Sequence, residues 1–136
     1  MSGAVFADTF YFLALLNTSE AAHARAVEAS CVANRQFVTT EFVLLELADA
    51  LSAPQDRPEF LAVWEAIHRD TSFRIVAVDS ALMERGLALF RARMDKAWSL
   101  TDCISFIAMQ DENLEEALTG DRHFQQAGFV ALLTAG

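Results

Sequence analysis

A single carboxylate in the most apolar part of the chain sets the first constraint. Residues 4–17 read AVFADTFYFLALLN, and Asp8 is the one acidic residue among them. Burying an ionised carboxylate without a partner costs roughly several kcal/mol or more, so the fold must deliver Asp8 to a place where something compensates it. Ala4 to Asp8 has the length and character of a strand covered on both faces. A helix starting at Thr9 gives Asp8 a first compensation, as its N-cap.

The rest of the chain repeats that strand-then-helix grammar. Strands are expected at 4–8, 36–40 (QFVTT), 73–79 (FRIVAVD), 116–120 (EALTG) and 129–134 (FVALLT). Between them, helical spacing of apolar residues predicts helices at 19–34, with Ser19 as N-cap, and at 41–53, 58–69, 80–95 and 99–112. Both prolines fall in SAPQDRPEF (52–60), a break between two helices, and no repeat or long linker divides the chain. Short apolar strands alternating with amphipathic helices imply parallel pairing through right-handed crossovers. The expected fold is α/β, a three-layer α/β/α sandwich with a mostly parallel sheet of four to five strands, as one domain over residues 1–136. In such sheets ligands collect at the carboxyl ends of the strands, which is where Asp8 falls.

Composition narrows the function. The net charge of −9 argues against a basic face that binds nucleic acid non-specifically, although bound divalent cations invert the sign locally. No run reaches the length of a membrane span. The apolar segment at the start lacks the basic flank of a secretory signal, because no Lys or Arg precedes Arg25, so a cytoplasmic protein without membrane contact is expected. Cys31 and Cys103 show no metal or redox spacing and read as buried thiols. Hydrophobic residues reach 54%, and Phe10, Tyr11, Phe12, Trp64 and Trp98 suggest aromatic surface beyond the needs of one core, hence an interaction face.

Three further carboxylates share Asp8's predicament. Asp121 also leaves a strand at its carboxyl end, after EALTG. Glu46 lies among Phe42, Val43, Leu45 and Leu47, and Asp102 opens a helix of Ile104, Phe106, Ile107 and Met109. Clustered carboxylates repel one another, so such a set needs protons or a hard divalent cation. With Mg2+ or Mn2+ it suits phosphodiester hydrolysis, which requires no Ser, Cys or His nucleophile. Each residue also has a simpler structural role open to it: a cap for Asp8, a capping box with Ser99 for Asp102, a turn for Asp121, and solvent for Glu46. Asp49 and the DENLEE run (111–116) read as solvated surface, Glu41 as a helix-dipole partner and Asp79 as an N-cap. Arg85, Arg91, Arg93 and Lys96 precede Asp102 and either guide a phosphate backbone or balance Glu84 and Asp95. Arg122 is the better single candidate for a phosphate contact. His23, His68 and His123 lack metal-site spacing, and only His123 lies near the acidic cluster.

In order and surroundings these motifs resemble the PIN-domain family, and within it the small VapC-type toxins of toxin–antitoxin pairs. FADT carries Asp8 and Thr9, TTEFVLLEL carries Glu46 in preference to Glu41, SLTDCISFIAM carries Asp102, and LTGDRHF carries Asp121 with Phe124 three residues on. The resemblance spans essentially the whole chain. It implies a Mg2+- or Mn2+-dependent endoribonuclease with Asp8, Glu46, Asp102 and Asp121 as catalytic and metal-binding residues. Thr9 and Arg122 would contact the substrate, a cognate antitoxin would inhibit the enzyme, and a homodimer is expected. The competing class is a non-catalytic module that keeps the fold and acts by binding a protein partner. A phosphatase would show DxDx[TV] where this chain has Asp8-Thr9-Phe10, and a receiver would need a Lys near the last strands, where Lys96 is the only Lys.

Overall fold

The computed structural model describes residues 3–135. Five strands form one parallel sheet: β1 (Ala4–Ala7), β2 (Gln36–Thr40), β3 (Phe73–Val76), β4 (Glu116–Leu118) and β5 (Val130–Ala131), in the order β3-β2-β1-β4-β5. Seven helices are described: α1 (Thr9–Leu16), α2 (His23–Ser30), α3 (Glu41–Ala50), α4 (Arg57–Arg69), α5 (Ser80–Ala92), α6 (Leu100–Asp111) and α7 (Arg122–Gln126). The α/β class and the parallel sheet flanked by helices therefore stand as expected. No helix among the described residues is long and apolar enough to cross a membrane.

Burial explains why β1 carries no polar side chain. It is the central strand, and Val5, Phe6 and Ala7 are at most 1% exposed. A strand covered on both faces reads as a continuous apolar run. Around it, Phe37 of β2 stacks on Phe73 of β3 with ring centroids 4.6 Å apart, and Phe106 of α6 meets Phe124 of α7 edge-on at 4.9 Å. Trp98 packs edge-on against Phe106 at 5.0 Å and donates from its indole nitrogen to Gln126. That pair of contacts fastens the segment before α6 to α7.

Side-chain caps set several helix starts. Thr40 accepts from the Val43 N–H to open α3, and Asp79 accepts from the Leu82 N–H to open α5, as expected for Asp79. Ser99 and Asp102 close the reciprocal capping box on α6.

Other expectations change. The helix foreseen at 19–34 is only His23–Ser30, with Ala22 at its cap. Ser19 instead donates its backbone N–H to the Asn17 side chain in a local turn, and Asn34 adopts a left-handed φ of 60° that breaks helical geometry. Strand β3 stops at Val76, and beyond it the Val78 N–H is taken by the Glu41 carboxylate at 2.6 Å, a more specific role than dipole compensation. Cys103 is buried as expected, whereas Cys31 is exposed. Tyr11, Phe12 and Trp98 belong to the core rather than to an interaction face, and of the five aromatics Trp64 alone is exposed.

Helices α5 and α6 approach closely at Gly86. A Cβ there would lie 2.3 Å from Ile104 Cγ1 and 3.2 Å from Ile104 Cα, so α6 itself must move to admit a methyl group. Overpacking of that kind costs about 1–3 kcal/mol, against a gain of up to about 1 kcal/mol in helix propensity. Gly86→Ala is therefore expected to lower stability by about 1–2 kcal/mol in urea denaturation, and a neutral or stabilising result would show that α6 repacks freely.

Candidate active site

The sheet order reverses between β1 and β4. The chain builds outward from β1 to β2 and β3, then returns to the other side of β1 for β4 and β5. A crevice opens at such a switch point, beyond the carboxyl ends of the strands. Two of the four predicted carboxylates follow these strands directly, Asp8 after β1 and Asp121 shortly after β4.

Parallel register pairs Ala7 with Leu118, which brings the next residues, Asp8 and Thr119, abreast. The Thr119 hydroxyl donates to Asp8 Oδ2 at 2.8 Å and accepts from the Asp121 N–H at 3.0 Å. One buried hydroxyl thus couples the two strand-end acids. Asp8 is 6% exposed and occupies the N-cap position of α1, but its side chain makes no capping bond. Burial, together with the nearby charges of Asp102 and Glu46, overcomes the Thr119 hydrogen bond and pushes its carboxyl pKa up to about 7.

Glu46 reaches the same edge from α3, where its Oε1 accepts from the Thr9 hydroxyl at 2.5 Å. Thr9, the residue after Asp8, thereby holds the Glu46 carboxylate toward the strand ends. Asp102 sits in the first turn of α6, half-buried, and Asp121 caps α7 by accepting from the His123 N–H at 2.9 Å. The capping roles open to Asp102 and Asp121 are thus real, and both carboxylates converge on His123 while filling them. Asp49 is exposed, as expected.

His123 closes the arrangement. Its Nδ1 lies 3.0 Å from Asp102 Oδ2 and 3.4 Å from Asp121 Oδ1. Among the described residues, Asp102, Asp121 and His123 form the one group whose ligand atoms all lie within 4.8 Å of one another. Asp8 and Glu46 stand outside that tight set, Asp8 close enough to Asp102 and Glu46 for their charges to raise its pKa. Three carboxylates and an imidazole around one crevice, with Glu46 tethered beside them, fit a hard or borderline divalent ion.

Sequence reasoning passed over Thr119 and underrated His123. Both lie inside LTGDRHF, the motif that located Asp121. The signal for Thr119 was a hydroxyl residue directly after the apolar pair Ala117-Leu118, at the carboxyl end of the strand that leads to Asp121. Among the basic candidates, Arg85 pairs bidentately with Asp111, and Arg93 pairs with Asp95 and lies over the Trp98 ring. These two are committed to surface charge balance. Arg122 is exposed at the start of α7, beside the acids, and makes no ion pair among the described residues.

Residues 5–130 match the PIN domain family. Among solved structures, the chain resembles VapC20 of Mycobacterium tuberculosis, a sarcin–ricin-loop-cleaving toxin, at 26% identity and a TM-score of 0.83, covering 93% of this chain and 96% of that one. It also resembles VapBC2 of Rickettsia felis, solved bound to a DNA fragment from its promoter, at 12% identity and a TM-score of 0.67, over 94% of this chain and 96% of that one. No curated protein sequence matches significantly.

The Asp8 pKa has a consequence for stability. The folded chain keeps this proton up to about pH 7, whereas the unfolded chain releases it near 3.8. Stability should therefore fall as pH rises between those values, by roughly 1.4 kcal/mol per pH unit from this group, and then level off. In metal-free protein, Asp8→Asn is expected to flatten that slope and raise stability at pH 8, measured by denaturant unfolding across the range. Parallel stability profiles for the two proteins would mean that Asp8 ionises without penalty.

Proposed function

The chain belongs to the PIN domain family, and from that premise we propose that it is a Mg2+- or Mn2+-dependent endoribonuclease, the toxin of a toxin–antitoxin pair. The observation that carries this reading is Asp8, an acid buried beside other acids with one side-chain hydrogen-bond donor, the Thr119 hydroxyl. A cation supplies what the fold withholds, because opposite charge lowers a carboxyl pKa where burial raises it.

Asp8, Asp102 and Asp121 would hold the ion, with Glu46 beside them under the control of Thr9. Bound there, the ion supplies charge neutralisation at a phosphate and a water of lowered pKa. Glu46 is exposed and tethered by the Thr9 hydroxyl beside Asp8, so it would be open to water and substrate at the site. Arg122 would receive a phosphate of the RNA backbone, supplying local positive charge on a chain of net −9. The likeness to VapC20 supports RNA as the substrate class.

The partners follow the same premise. Leu45 of α3 is 58% exposed and Leu61 of α4 is 57% exposed, and Ala48, Leu51, Phe60 and Leu61, with Ser52 and Arg57 beside them, line a largely apolar hollow of about 270 Å³. Such surface suits a homodimer contact or an antitoxin segment. A cytoplasmic location and a single catalytic domain complete the proposal.

RNA cleavage is expected to vanish in chelator and to return with Mg2+ or Mn2+. Asp8→Asn and Asp121→Asn should each lower the rate by about a hundredfold or more while the far-ultraviolet spectrum stays that of the wild type. Cleavage that persists in chelator, or in Asp8→Asn, would overturn the metal-dependent reading and leave the interaction module. A monomer by sedimentation at micromolar concentration would remove the homodimer.

A further inference from the structure

His123 brings to the crevice something the carboxylates lack, a nitrogen that can become a metal donor once its proton is exchanged. Its Nδ1 stands 3.0 Å from Asp102 Oδ2 and 3.4 Å from Asp121 Oδ1. Neighbouring donors around an octahedral ion with bonds of about 2.1 Å are about 3.0 Å apart. The nitrogen therefore already has close to the spacing of a ligand adjacent to each of the two acids.

The position is fixed by the fold. The His123 N–H is bound by Asp121, and the next residue, Phe124, is fully buried against Phe6 and Phe106. The imidazole is 23% exposed, shielded enough to hold its orientation and open enough to admit an ion. The other two histidines are occupied elsewhere, with the Nδ1 of His23 on the Ala14 carbonyl and that of His68 on the Trp64 carbonyl.

We infer that His123 is itself a metal ligand, through Nδ1 of the tautomer protonated at Nε2, and that it biases the site toward Mn2+ over Mg2+. The inference rests on the metal-dependent reading above. In the free chain Nδ1 donates its proton to the Asp102 carboxylate; on coordination that proton passes to solvent and Nε2 takes one up, so the metal–nitrogen bond replaces the hydrogen bond with no net change in ring charge. Magnesium is a hard ion that takes oxygen donors and gives up water reluctantly; manganese also favours oxygen and is the weakest binder among the first-row divalent ions, but it is less hard than magnesium and gains more from an imidazole nitrogen. One nitrogen in the set thus discriminates between the two ions where carboxylates alone do so weakly.

The test loads the full chain with Mn2+ and records electron spin-echo envelope modulation. The wild type should show the nitrogen coupling of a directly bound imidazole, and His123→Ala should lose it. By calorimetry the variant's Mn2+ affinity should drop about tenfold or more, with Mg2+ affinity changed by less than about threefold. Mn2+ bound by the wild type without nitrogen coupling would overturn this inference and leave the metal site standing. A coupling that persists in His123→Ala would overturn it too, by assigning the nitrogen to another group. Absence of Mn2+ binding at millimolar concentration would overturn both readings. The wild-type spectrum alone can overturn the inference, so it stays testable if the variant folds poorly.

Discussion

The bond from the Thr119 hydroxyl to Asp8 is the contact on which the crevice depends. It joins the carboxyl ends of the two strands between which the sheet changes direction, and its oxygen also receives the Asp121 N–H. A hydroxyl is suited to this because it donates and accepts at once. With a methyl in its place, Asp8 would lose its one side-chain donor inside the fold and Asp121 would lose an anchor for its backbone. The apolar surroundings that make β1 a sound central strand are the same surroundings that leave Asp8 so dependent on that donor.

Each acid is held by a different structural device, and together the devices keep like charges close. Asp8 is fixed by strand register, Glu46 by the hydroxyl of the residue that follows Asp8, Asp102 by a capping box, and Asp121 by a cap on a five-residue helix. Caps and charged sites use the same chemistry, since a carboxylate at a helix start accepts backbone N–H groups there and still has lone pairs to offer. The structural role of Asp102 and Asp121 is therefore compatible with the proposed chemical one. Repulsion among the acids is relieved in the free chain by the elevated Asp8 pKa, and the His123 imidazole lies within hydrogen-bond reach of Asp102.

Away from the crevice, the chain uses its few cations sparingly. Arg74 pairs with Glu112, Arg85 with Asp111 and Arg93 with Asp95, all near the surface, where such pairs contribute little to stability. This leaves Arg122 as the exposed cation adjoining the acids. The aromatic residues show a matching economy. Tyr11, Phe12 and Trp98 fill the core, and Trp98 also spans from the start of α6 to α7, which aligns the helix of Asp102 with the helix of His123.

The sequence by itself determined the class of fold and three features of the site. Alternating apolar strands and amphipathic helices permit few arrangements other than a covered parallel sheet, and Asp8, Asp102 and Asp121 could be read as strand-end or helix-start acids because their neighbours define those ends locally. QFVTT was legible to the residue, since both of its boundaries are set by adjacent chemistry. The helix foreseen at 19–34 was overextended because turn-forming residues at both ends compete with a weak apolar stripe. The exposure of Cys31, the burial of Tyr11, Phe12 and Trp98, and the early end of β3 depend on contacts between distant segments, which periodicity does not encode. Only the tertiary structure decided that Thr119 would face Asp8 and that His123 would stand between Asp102 and Asp121. Those meetings follow from the register of β1 against β4 and from the docking of α6 on α7, which join Asp8 to Thr119 across 111 positions and Asp102 to His123 across 21, separations that carry no local signal.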